Sequence, residues 1–120
     1  MNQFDQRTLS ALRTVQEIGI RTTRQPDKVV TIWVVVASDD VFIRSFQGAK
    51  GLWYQSVAAD GLATLEVEGQ QVAVSATPAA DPGTIERVSQ AFLTKYASSP
   101  YAKEMIRAET LRTTLRLEPR

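Results

Sequence analysis

The stretch Arg44-Ser45-Phe46-Gln47-Gly48-Ala49-Lys50-Gly51 holds the residue types and spacing most able to do chemistry in this chain. A strand ends there in a cation and a hydroxyl, and a glycine-bearing loop then leads into a helix. The first backbone N–H groups of a helix have no partner within it and favour negative charge. Arg44 and Lys50 can each add a charge-assisted hydrogen bond worth roughly 1.5–3 kcal/mol. Together with Ser45 and Gly51 they make a set of donors suited to a phosphate. The plainer reading, which the motif alone favours, is a turn permitted by its glycines with solvated cations around it. The spacing is not that of a Walker loop.

Trp33 and Trp53 stand near the same elements and could flank a planar ring, although large aromatics are more often core, and both are read as core. A fully buried Trp33 would make Trp33→Ala cost roughly 3–5 kcal/mol. Glu66 and Glu68 share a strand face and Asp39-Asp40 occupies a turn, which is how a wet strand face and a tight turn look, with no metal loop or carboxylate pair for glycoside chemistry around them. The chain has no histidine and no cysteine. That removes serine triads, Cys/His dyads, disulfides and ordinary zinc sites, and it makes a cofactor, most naturally a redox one, the expected carrier of reactive chemistry if the chain is an enzyme.

The elements that must position these residues are legible from periodicity. Leu9, Leu12, Val15 and Ile18 form one apolar stripe, predicting a helix over Asp5 to Ile18 that stops at Gly19. A short strand over Ile20 to Arg24 should turn at Gln25-Pro26-Asp27-Lys28. Val29 to Ala37 is mostly β-branched and reads as one strand, paired through Ser38-Asp39-Asp40 with Val41 to Ser45. Its unbroken apolar character requires cover on both faces, by a helix or by a second subunit. A helix over Leu52 to Ala59 ends at Asp60-Gly61. A hairpin joins Ala63–Val67 to Gln70–Thr77 around Glu68-Gly69. Asp81-Pro82 starts a helix whose stripe is Ile85, Val88, Phe92 and Tyr96. Ser98-Ser99-Pro100 precedes a short helix near Tyr101 to Arg107, and Leu111 to Leu117 alternates as a last strand.

Six strands with interleaved helices in 120 residues predict one α+β domain, a small closed antiparallel barrel with no exposed edges. The composition, 43% hydrophobic and 22% charged, is that of an ordinary globular chain. The longest apolar run is too short to cross a bilayer and the start Met1-Asn2-Gln3 has no signal-peptide character, so a cytoplasmic, membrane-free protein is expected. A formal charge of +1 does not announce a nucleic-acid binder.

The residues from Ile20 to Pro78 resemble the core of the FMN-binding split-barrel proteins, which include pyridoxamine phosphate oxidase-like and deazaflavin-dependent nitroreductase-like members. The resemblance is to a small family of unknown function related to the latter. It is carried by Arg21-Thr22-Thr23-Arg24, by Thr31 to Val36, by Val41 to Ser45, and by Gly51-Leu52-Trp53-Tyr54 leading to Ala63–Val67. It implies a six-stranded split barrel, a homodimer with pockets between subunits, and a flavin-type ligand. Its phosphate would meet Arg44, Ser45, Lys50 and Gly51, and its ring would lie along Thr31, Ile32 and Trp33. The Thr23–Lys28 turn lacks the glycine-containing, Arg/Lys- and Ser-rich pattern of the nitroreductases, so FMN is implied before a deazaflavin. A cofactor-free barrel serving as an interaction or small-ligand module is the alternative. A barrel for single-stranded nucleic acid is the third reading.

Overall fold

The computed structural model describes residues 3–120, and the polar start at Met1-Asn2 lies outside them. Helix α1 (Gln6–Thr14) begins at Asp5, whose carboxylate accepts the Thr8 N–H at 2.7 Å, and it buries Leu9 and Leu12. It ends at Thr14, four residues short of the predicted last residue Ile18. Ile18 opens strand β1 (Ile18–Thr22), paired with Ile32 of strand β2 (Gln25–Ile32). Gly19 therefore sits inside a strand. A Cβ there would meet the Val29 Cγ1 at 2.5 Å, so glycine lets β1 and β2 approach closely.

The β1–β2 turn is Thr23-Arg24 rather than Gln25 to Lys28. Pro26 falls within β2 because β2 is an edge strand, where a missing donor on the outer side breaks no ladder. Strands β3 (Val35–Ala37) and β4 (Asp40–Ile43) form the predicted hairpin. Ser38 and Asp39 both lie at positive φ, 51° and 68°, as a two-residue primed turn requires. Glu68 and Gly69, at 48° and 80°, do the same between β5 (Leu62–Val67) and β6 (Gln70–Pro78). Helix α2 (Leu52–Asp60) ends on Gly61 at φ 72°, and α3 (Pro82–Lys95) starts from Asp81, which accepts the Thr84 N–H. The stretch after Pro100 is a 3-10 turn over Ala102–Ile106, followed by α4 (Ala108–Leu111) and β7 (Leu115–Pro119). The last strand starts late because Leu111 closes α4, and Thr113 and Thr114 are buried with their hydroxyls donating to the Thr110 and Leu111 carbonyls.

The sheet has seven strands, not six, in the order β2-β1-β5-β6-β7-β4-β3, all neighbours antiparallel. The extra strand arises because the Val29–Ala37 run breaks at Trp33-Val34. That break fixes the architecture. Laid flat, seven strands at about 4.8 Å spacing would separate the outer two by about 29 Å. Yet β2 and β3 are joined by two residues, a link that spans only about 10 Å. The sheet must curl until its edges face each other, and since β2 and β3 do not pair, the barrel is split rather than closed.

Two cores follow. Inside the curl lie Leu12, Ile20, Val34, Ile43, Leu65 and Val74, among others. Outside it, Val35 and Phe42 pack against Val88, Phe92 and Tyr96 of α3 and its cap, with Met105. The β3–β4 hairpin is thus covered on both faces, as its apolar run requires, and α3 supplies the outer cover. The β2 half of the run is different: Val29 is 41% exposed and Thr31 is exposed. No helix among the described residues is long and apolar enough to cross a membrane.

The end of α3 clasps the crossing between β2 and β3. Tyr96 donates its hydroxyl to the Gln16 carbonyl at 2.7 Å and accepts the Val34 N–H at 3.2 Å, and Lys95 Nζ donates to the Leu12 and Val34 carbonyls at 3.0 and 2.7 Å. Burial lowers the Lys95 pKa from 10.5 to about 8 and raises that of Tyr96 to about 12. A neutral amine still donates both bonds. Between pH 8 and 10.5 the folded chain therefore holds fewer protons at Lys95 than the unfolded chain, so stability rises with pH in that window, and below it Lys95 adds no pH dependence. The urea midpoint should climb from about pH 8 to about pH 10, and Lys95→Met should remove that climb. An unchanged slope in the variant would assign it elsewhere.

Candidate functional site

Where the curled sheet stays open, the edge of β2, the end of β4 and the start of α2 surround a cavity of about 520 Å³. Thr31, Ile32 and Trp33 line one side, Arg44 and Ser45 another, and Trp53 contributes from the first turn of α2. Five of the seven residues singled out from the sequence are thus brought together. Lys50 and Gly51 are not among those lining the cavity. Because β2 has a neighbour on one side only, its outer edge presents backbone N–H and C=O groups to ligands or solvent.

The walls are aromatic. Trp33 lies flat on Tyr96, ring centroids 3.9 Å apart and planes within 3°, so the ring is held from behind by a residue itself clasped to the crossing between strands. Trp53 is buried as expected, whereas Trp33 is partly buried and packs against the outer core, so the core reading holds for it only in part. Phe46 and Tyr101 meet edge to face at 6.2 Å on the rim and stay 45% and 60% exposed. Arg107 holds Phe46 from outside, donating to its carbonyl at 2.9 Å with the guanidinium 5.8 Å over the ring. Large apolar side chains left this open at a cavity mouth are suited to contact a ligand.

The anion cradle is assembled differently from expectation. Arg44 is 1% exposed and turns inward. Its Nε donates to Thr114 Oγ1 at 2.8 Å, Nη1 to Ser89 Oγ and the Met105 carbonyl at 3.0 and 2.9 Å, and Nη2 to the Ile85 carbonyl at 3.0 Å. Four of the five guanidinium N–H groups are used, on neutral acceptors. Burial lowers its pKa from 12.5 to about 10, which leaves it charged at neutral pH. Ser45 Oγ donates to the Gly48 carbonyl at 2.7 Å, closing the 3-10 turn Gly48–Lys50. Gly51 serves that turn: a Cβ there would meet Ser45 Oγ at 2.5 Å. Lys50 is exposed. These residues build the loop and the wall behind the cavity.

A family model described as "Uncharacterized protein conserved in bacteria (DUF2255)" matches residues 8–117. The chain belongs to this family. The match runs from α1 to β7, so the DUF2255 unit is the whole curled sheet with its helices. No curated protein matches the chain. Solved structures that share the fold include the following three. A conserved hypothetical protein from Mycobacterium tuberculosis is 10% identical over 96% of this chain and 78% of its own, with a TM-score of 0.62. A candidate pyridoxamine 5′-phosphate oxidase from Listeria innocua is 10% identical over 95% and 90%, at 0.61. The haem storage protein HutZ from Vibrio cholerae is 6% identical over 98% and 89%, at 0.58. At these identities the likeness is one of fold, and it places this DUF2255 protein among split-barrel-like proteins.

Sequence reasoning missed Glu17, Phe46, Tyr101 and Met105 as lining residues. Phe46 stands inside the singled-out loop, where its charged neighbours carry the sequence argument. Tyr101 and Met105 come from a segment more than fifty residues later, and only the curl brings it to β4.

Proposed function

We propose that this DUF2255 protein binds a planar, flavin-type ring in the split of its barrel and works as a flavin-dependent oxidoreductase. One observation carries the reading: Trp33, Trp53, Phe46 and Tyr101 line a single cavity with the free edge of β2. Aromatic side chains offer faces for a ring, and an edge strand offers alternating donors and acceptors for its polar rim. When bound, a flavin supplies electron and hydride transfer, chemistry that protein side chains leave to a cofactor. The protein's own part is to orient the ring along Thr31–Trp33, back it through the Trp33–Tyr96 stack, and keep water from its inner face with Trp53 and Met105. A haem, which the Vibrio protein stores, would find neither imidazole nor thiolate in this chain, and Met105 and Tyr101 would be the lining side chains able to meet iron. The flavin reading needs no such ligand. Pairing of two copies belongs to the same proposal, supported by the exposed Val29 on the unpaired edge of β2.

Riboflavin mixed with the protein should lose emission as its ring stacks on indole, with saturation in the micromolar range. If neither riboflavin nor FMN responds at high micromolar protein, the barrel is cofactor-free and an interaction or small-ligand role replaces this one.

A further inference from the structure

We infer that the cavity selects uncharged planar rings and that its lining offers a ligand phosphate no uncommitted side-chain cation among the described residues; the inference rests on the ring-binding reading above. Among the described residues, every cation near the cavity is either committed to other partners or outside the lining. Arg44 gives four N–H groups to Thr114, Ser89, Met105 and Ile85, and is 1% exposed. The Ser45 hydroxyl proton is held by the Gly48 carbonyl. Lys50 lies outside the lining. Arg107, which reaches the rim through Phe46, is flanked by Glu104 and Glu109 at 3.5 and 3.4 Å. The exposed ionisable groups that do line the cavity are Glu17 and the phenol of Tyr101. Among the described residues, a phosphate entering there would meet a carboxylate and only the committed guanidinium of Arg44, whereas an uncharged ring would meet aromatic faces and the neutral amide of Gln47. Recognition by shape and stacking, not by charge, is what this wall can deliver.

The test is a set of fluorescence titrations of the full chain with riboflavin, lumichrome and FMN, at low and high salt. The two uncharged ligands should bind with Kd values at or below that of FMN, and added salt should leave their affinities unchanged while bringing FMN closer to them by screening Glu17. Glu17→Gln, a change at an exposed lining residue, should tighten FMN about two- to fivefold relative to riboflavin, the scale expected for removing one charge several ångströms from a dianion in water. A Kd for FMN below that of riboflavin, weakening with salt, would overturn the selectivity while leaving ring binding in place. If none of the three binds, the ring-binding reading itself fails and this inference with it.

Discussion

An Arg44→Ala protein is expected to unfold about 3–5 kcal/mol more easily than the wild type, a larger loss of stability than either Lys95→Met or Trp33→Ala should cause. Two opposing effects decide the sign. Burial that brings the Arg44 pKa from 12.5 to about 10 corresponds to a cost of about 3 kcal/mol for holding the charge. Against it stand four hydrogen bonds from an ionised donor, each worth roughly 1.5–3 kcal/mol, and a contact 5.5 Å over the Phe92 ring. The bonds win. Their loss also leaves the Met105 and Ile85 carbonyls without these donors in the interior. Those bonds join β4 to α3, to the 3-10 turn and to the lead into β7, so the damage spreads to the Met105 wall of the cavity. Arg44→Lys keeps the charge but has one nitrogen where Arg44 uses three, and it should recover less than half of the loss. Urea denaturation of both variants decides this. If Arg44→Ala unfolds within about 1 kcal/mol of wild type, the inward guanidinium is not holding the four segments together.

The contrast between expectation and structure at Arg44 has a physical origin. A sequence gives the type and spacing of a cation but not which of its neighbours will be nearer than solvent. Ser89, Met105 and Thr114, which capture it, lie 45, 61 and 70 residues away. What was legible was local. Ser38-Asp39 and Glu68-Gly69 announced their hairpins because short polar or glycine-bearing breaks there interrupt runs of strand-forming residues. Asp81-Pro82 announced α3 because its cap and its first-turn geometry are encoded within four residues. The break at Trp33-Val34 carried no such signal, since β-branched residues run through it on both sides, and the missed seventh strand follows from that alone. The site was half legible for the same reason. The edge residues Thr31, Ile32 and Trp33 and the strand end Arg44-Ser45 do meet at one cavity, while the rim from Tyr101 to Met105 depends on how far the sheet curls.

Trp33→Ala should weaken riboflavin binding about ten- to a hundredfold, because stacking of a planar ring on an aromatic side chain is worth about 1–3 kcal/mol and every 1.4 kcal/mol is a factor of about ten. Its effect on stability should be smaller than full burial would give, about 1–2 kcal/mol, since the residue is only partly buried where it packs against the outer core and stacks on Tyr96 at 3.9 Å. The separation of the two effects is the point of the experiment. Trp33→Phe keeps an aromatic face against Tyr96 and should hold the affinity loss to about fivefold. Tyr96→Phe keeps the stack and removes the hydroxyl that ties Gln16 to Val34, so it should lower the urea midpoint while leaving riboflavin binding nearly unchanged. Titration and denaturation of the three variants then locate Trp33. If the alanine variant loses about 3–5 kcal/mol of stability and binds riboflavin as the wild type does, Trp33 is core after all, and the cavity has lost the face on which the flavin reading depends.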